Sequence, residues 1–167
     1  MSRAARGRLI GIARRPARLA PMETVDSVEI SLEAGVAGDH KGAKFKRRAV
    51  TVLAREDWQA ALADLDAGGE TEPLEWTARR ANFLVEGVRL PRAIGATLRI
   101  GPVLLEVTYP TTPCSRMDEA RAGLKKALYP EWRGGVTCKV LEGGHAAVGD
   151  DVEVMQSPPE RQIHLPG

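Results

Sequence analysis

Cys114 is the residue whose chemistry is easiest to name. It lies in Tyr109-Pro110-Thr111-Thr112-Pro113-Cys114-Ser115-Arg116-Met117-Asp118-Glu119, between a strand-like run at 103–107 and a helix-like run at 116–128. A thiol at a strand-to-helix junction, with Arg116 two residues on, sits where unpaired N–H groups and a nearby cation both favour the thiolate. Ser115 with Asp118 reads as a capping box that leaves Cys114 just outside the first turn, and Pro113 after Thr112 is a competing helix start. A free cysteine also serves as a small apolar filler. The flanking prolines and polar residues weigh against that use here.

Cys138 supplies the contrast. In Gly135-Val136-Thr137-Cys138-Lys139-Val140-Leu141 it alternates onto the side of Val136 and Val140, the core side of a half-buried strand. Two cysteines in 167 residues make no disulfide framework, so a reducing, cytoplasmic setting is the expectation.

Three further clusters could join Cys114. Gly35-Val36-Ala37-Gly38-Asp39-His40-Lys41-Gly42 is a glycine-rich turn with an acid and an imidazole, and it leads into Lys44, Lys46, Arg47 and Arg48. Backbone N–H groups at such a turn, with cations beside them, suit a phosphate or another compact anion, although a charge run is also an ordinary solvated face. In Arg79-Arg80-Ala81-Asn82-Phe83-Leu84, strand alternation puts Arg80 and Asn82 on one side, where a guanidinium and an amide could grip a phosphate and a heterocycle edge. The bland reading is an exposed strand start. The third cluster is Arg133-Gly134-Gly135 with Lys139 and Gly143-Gly144-His145, in which His145 could equally be a turn residue.

The elements that must position these residues read mainly as strands. Alternation and turn signals predict strands at 8–13, 25–32, 49–53, 82–85, 97–100, 103–108, 135–141 and 151–155, with Gly101-Pro102 as a tight hairpin link. So many short strands with glycine turns predict a closed or nearly closed β-barrel, which removes exposed sheet edges. Helical spacing appears twice, from Glu56 through Trp58, Ala61, Leu62 and Leu65, and from Arg116 through Met117, Ala120, Leu124 and Leu128. The expected organisation is one domain over 1–156 with a flexible tail at 157–167.

Composition excludes several classes. A hydrophobic share of 43% and a charged share of 28% fit an ordinary soluble domain, and no apolar stretch approaches the roughly 20 residues of a membrane span. The net charge is only +2, yet Arg3, Arg6, Arg8, Arg14, Arg15 and Arg18 all precede the first acid, Glu23. That opening can look like a transit peptide, but Leu9-Ile10-Gly11-Ile12 reads better as a folded strand. No phosphate-loop, dinucleotide, zinc-protease or paired C-x-x-C motif is present, and 4% aromatic residues give few stacking platforms for nucleic acid.

The order of motifs resembles the MOSC domain family, named for the C-terminal domain of molybdenum-cofactor sulfurase. The matching pieces are 35–40, the strand Ala49-Val50-Thr51-Val52, the run 80–87, the run 95–101, Pro113-Cys114 and the run 143–152, so the resemblance covers about 8–155. It implies a stand-alone bacterial-type member with a MOSC, pyruvate-kinase-type β-barrel and a few helices, in which Cys114 is the family's cysteine. In relatives that cysteine is thought to carry sulfur as a persulfide or to bind molybdenum, both natural roles for a soft, nucleophilic thiolate.

The resemblance further implies a molybdenum–molybdopterin cofactor. Candidate cofactor-binding residues are Asp39, His40, Lys41, Arg47, Arg48, Arg80, Asn82, Arg116 and Arg133, with Cys114 as catalytic residue and metal ligand. The sequence lacks the pyridoxal-phosphate desulfurase domain of the fused sulfurases and the barrel extension of the amidoxime reducers. A cysteine desulfurase or other sulfur donor, or a redox partner, is therefore expected, and no pyridoxal phosphate. The expected activity is sulfur transfer or molybdenum-dependent reduction of N-hydroxylated compounds. The alternative is a non-catalytic module whose basic barrel mouth binds an anionic small molecule or a partner protein.

Overall fold

Branched apolar residues alternate along most of the chain, and they close a ring of strands. The computed structural model describes residues 6–41, 44–65 and 74–160. The strands are β1 (Arg6–Arg14), β2 (Glu23–Val25), β3 (Ser27–Ser31), β4 (Gly35–Val36), β5 (Val50–Ala54), β6 (Phe83–Glu86), β7 (Thr97–Ile100), β8 (Val103–Pro110), β9 (Val136–Glu142), β10 (Gly144–Ala147) and β11 (Asp151–Gln156). Seven of them form a closed barrel in the order β11-β7-β8-β9-β5-β6-β1, and β1 returns to β11. Each pairing is antiparallel except β5 with β6. The barrel predicted from the turn pattern is therefore present, and Gly101-Pro102 links β7 to β8 with Ile100 opposite Val103.

Two apolar layers explain why β5 is buried along its whole length. Val50, Val52 and Ala54 point into the barrel with Leu9, Phe83, Leu105 and Val107, whereas Leu53 points outward. Outside, Leu53 and Leu84 pack under α1 (Arg55–Leu65), α2 (Ser115–Ala120) and α3 (Leu124–Ala127) through Trp58, Ala61, Met117, Leu124 and Leu128. Burying such side chains contributes about 1.5–3 kcal/mol each.

The helix expected over 116–128 is two helices. Gly123 stands between them with φ of 88°, a left-handed conformation that breaks an α-helix and that glycine adopts without Cβ strain. The expected capping box does not form either. Helix α2 starts at Ser115 with Cys114 as its cap, and the Asp118 carboxylate accepts from the Lys125 amide of the next helix.

A second sheet, β10-β3-β4, adds two short strands to β3, which lies within the strand expected at 25–32. It takes His145 onto a strand, where Nδ1 lies 2.7 Å from Glu29 Oε1. The described part of the tail is anchored, because Glu160 accepts from Arg89 Nη1 at 2.6 Å and from the Arg92 amide at 3.2 Å. Tail residues 161–167, together with Arg3 and Gly42, lie outside the described residues.

Register fixes where the loops gather. Ile12 pairs with Phe83, Phe83 with Val52, Val52 with Val136 and Val136 with Pro110, so five barrel strands share one level. The segments that leave this level after β1 and β8, and those that enter it before β6 and β9, meet in one cleft.

Candidate active site

Arg79 is the residue around which the cleft is built. It ends a 3-10 helix, Trp76–Arg79, and its side chain turns inward to only 5% exposure. Nε donates to the Gly134 carbonyl at 3.1 Å and Nη2 to the Thr111 carbonyl at 3.0 Å. The guanidinium thus ties the segment before β9 to the segment that carries Cys114. A Cβ on Gly134 would sit 3.0 Å from Arg79 Nη2 and 2.8 Å from the Thr111 oxygen, so glycine is required for this approach.

No carboxylate among the described residues pairs with Arg79. Burial pulls its pKa down to about 10, and the side chain that opposes this is Cys114, whose thiolate would attract the guanidinium. A buried cation without a counter-ion is unfavourable, so this position favours a negative group beside it. Nη1 has no protein partner among the described residues.

Arg80 points the other way. It adopts a left-handed backbone (φ 66°, ψ 29°), which costs a non-glycine residue about 1–2 kcal/mol. That turn sends consecutive arginines to opposite places, Arg79 beneath the floor and Arg80 into the cleft. Burial and the like charges of Arg15 and Arg116 lower the Arg80 pKa. Strain of this kind collects at functional sites.

The cleft holds about 440 Å³, a size suited to a small molecule. Among the described residues its lining includes six basic ones, Arg15, Arg18, Lys44, Arg79, Arg80 and Arg116, and no carboxylate. Phe45, Ala81 and Met117 give it an apolar wall. Cys114 stands at the rim, exposed, with an extended backbone, and its carbonyl accepts the Met117 amide at 2.9 Å. Met117 is buried in the outer core and so anchors the turn that presents the thiol. His40 also lines the cleft, with Nε2 3.1 Å from Arg15 Nη2. A guanidinium only donates, so Nε2 is the acceptor in this contact.

The structure brings Cys114, His40, Arg80 and Arg116 together and places the other expected residues elsewhere. Asp39, Lys41 and Asn82 form a polar knot beneath the cleft. Lys41 Nζ donates to Asp39 Oδ2 at 2.9 Å and to Asn82 Oδ1 at 2.6 Å, and burial lowers the Lys41 pKa against the pull of Asp39. Asn82 has no exposed surface. Its Oδ1 also accepts from Thr51, and its Nδ2 donates to the Ala13 carbonyl at 3.1 Å. With those bonds made, the amide staples β1 to β5 and has no reach toward a ligand.

Arg47 and Arg48 line a neighbouring cleft. Arg133 is held outside by Asp64 and the Ala127 carbonyl. Arg79, Arg15 and Arg18 were not singled out by the sequence. The Arg79-Arg80 pair was the available signal, because two arginines before a buried strand cannot both face water in the same way.

A molybdopterin-type group can be tested against this donor set. Its phosphate would meet an excess of cations, and its metal a soft sulfur at Cys114. Among the described residues no group of three or more His, Cys, Asp or Glu could cage a metal ion. A metal here would be held by Cys114 together with an organic ligand. The residues present fit that group in charge and in donor softness.

The MOSC domain family model matches residues 37–153. Among solved structures, the YuaD protein from Bacillus subtilis aligns with a TM-score of 0.71 at 16% identity, covering 92% of this chain and 98% of that one. YiiM from Escherichia coli aligns at 0.64 and 18% identity, with 89% and 70% covered. YiiM from Geobacillus stearothermophilus aligns at 0.67 and 16% identity, with 90% and 75% covered. At these identities the likeness is one of fold. No curated protein matches significantly. No helix among the described residues is long and apolar enough to cross a membrane.

Proposed function

Because the chain belongs to the MOSC domain family, we propose that the cleft binds a phosphate-bearing molybdenum–pterin cofactor, with Cys114 as the metal-binding thiolate. The observation that carries this reading is the charge of the lining, six cations against no carboxylate among the described residues, with Arg79 buried and without a counter-ion among them. One thiolate would need one or two cations. The surplus suits a polyanion.

Each residue then has a task. Arg79 holds the Cys114 segment in place through the Thr111 and Gly134 carbonyls and supplies positive charge from beneath. Arg80, Arg116 and Arg15 hold the anionic part of the ligand at the surface of the cleft. Phe45 and Met117 cover its flat body and exclude water. His40 adds a polar ring beside Arg15 on the same wall. The bound cofactor would supply two-electron redox chemistry at the metal, which fits reduction of N-hydroxylated compounds.

The test is elemental analysis with pterin fluorescence on protein purified from a host that makes molybdopterin. Molybdenum and pterin in near-equal amounts, both lost in Cys114→Ala and Arg80→Gln, are expected. Wild-type protein without either would contradict the reading.

A second reading, sulfur carriage, is favoured by the exposure of Cys114 at the rim, where a donor protein could reach it. Mass spectrometry after incubation with a cysteine desulfurase and cysteine would then show a persulfide on Cys114. Equal sulfur uptake by Cys114→Ala would exclude it.

A further inference from the structure

A second cleft of about 530 Å³ shares Phe45 with the first and has a different chemistry. Phe45 is 41% exposed and Tyr109 39% exposed, two rings left facing solvent in a chain with few aromatics. The Arg48 guanidinium lies 4.1 Å from the Phe45 ring centroid, so that cation is occupied by the ring. Lys46 Nζ is committed to the Leu32 and Glu33 carbonyls. The Thr108 hydroxyl contacts the Arg47 carbonyl and Thr137, and the Thr137 hydroxyl also reaches the Tyr109 carbonyl at 3.2 Å.

Two polar groups of the lining remain without a partner among the described residues, the Arg47 guanidinium and the Tyr109 hydroxyl. No carboxylate among the described residues lines this cleft. Lys46 and Arg48 keep their charges, but of the three cations only Arg47 has a planar fork without a partner among the described residues, and that fork matches a carboxylate. The rings beside it favour a flat, unsaturated body over a saturated one. The Cys114 cleft, with six cations against three here, is built for more charge than this.

We propose that the Phe45–Tyr109 cleft binds a planar aromatic or heteroaromatic carboxylate, with Arg47 as its anion clamp. The shared Phe45 wall sets this small molecule next to the cleft that holds Cys114. Its identity as substrate rests on the function proposed above, whereas its binding does not.

NMR titration of the full chain, purified without cofactor, with benzoate, cyclohexanecarboxylate and benzamide separates the two. Benzoate should bind at least about tenfold more tightly than benzamide, the range expected for a hydrogen-bonded charge, and about 2- to 10-fold more tightly than the saturated acid. Arg47→Gln, whose wild-type side chain has no partner to lose, should weaken benzoate about tenfold or more. Equal affinity for the three probes, or no loss in Arg47→Gln, would overturn the assignment. So would a larger loss in Arg80→Gln, which would put the anion in the Cys114 cleft. A protein that binds benzoate in this pattern yet acquires no pterin would refute the cofactor reading alone.

Discussion

Cys138 lies on β9 between Val50 of β5 and Val107 of β8, with no exposed surface, and burial, aided by Glu106, pushes its thiol far up. Cys114 caps a six-residue helix at the rim of a cleft, beside a buried arginine without a counter-ion among the described residues. The barrel wall seals one sulfur away, and the loops that leave the same wall expose the other beside a cluster of cations. The wall contributes rigidity and the loops contribute charge, and Arg79 joins the two because its head is bonded to loop carbonyls on both sides of the cleft.

The sharpest way to break the comparison is alkylation of the native protein at pH 8. Cys114 should react at least about 10³-fold faster than Cys138, because a buried strand residue reacts only through opening reactions that approach global unfolding. Similar rates would mean that the barrel opens locally or that Cys114 is shielded. Stability should reverse the order. Cys138→Ser buries a hydroxyl without a designed partner and should lose about 1–3 kcal/mol in urea melts, whereas Cys114→Ser should stay within about 0.5 kcal/mol.

Proton linkage sharpens the contrast further. The Cys138 pKa is raised in the folded state, so above the ordinary value of 9.0 the unfolded chain releases a proton that the folded chain keeps. Stability should therefore fall as pH rises above 9.0, by at most about 1.4 kcal/mol per pH unit, and Cys138→Val should remove that slope. Lys41 acts in the opposite sense. Its folded pKa is lowered from 10.5, so its burial penalty is full below the folded value and disappears as pH rises to 10.5. The slope that Cys138→Val removes from urea melts at pH 8, 9 and 10 isolates the cysteine part.

The smallest effect concerns Arg80. Arg80→Gly relieves a left-handed backbone and should leave the fold unchanged or more stable by up to about 1 kcal/mol, while anion binding in the cleft weakens. Loss of stability with unchanged binding would make Arg80 structural.

The barrel was legible because its strands alternate, and all eight predicted strands have counterparts within two residues or so at most of their ends. Strands β4 and β10 were not, since β4 has two residues and β10, Gly144–Ala147, has small residues and a histidine in place of an apolar alternation. At the site, Cys114 was visible from its junction and its neighbours. Arg79 was not, because strand alternation through 79–82 makes Arg80 and Asn82 partners, whereas the chain enters β6 from a 3-10 turn that inverts the roles. Asn82 then serves Thr51, Lys41 and Ala13, contacts set by long-range pairing that local spacing does not encode.

The central claim, that a cationic cleft with Arg79 at its base holds a polyanion against Cys114, is tested most directly by the alkylation rate of Cys114 against increasing inorganic pyrophosphate at constant ionic strength. We expect saturable protection in the wild type and little protection in Arg79→Met. A Cys114 rate indifferent to pyrophosphate, or equal protection in Arg79→Met, would contradict it.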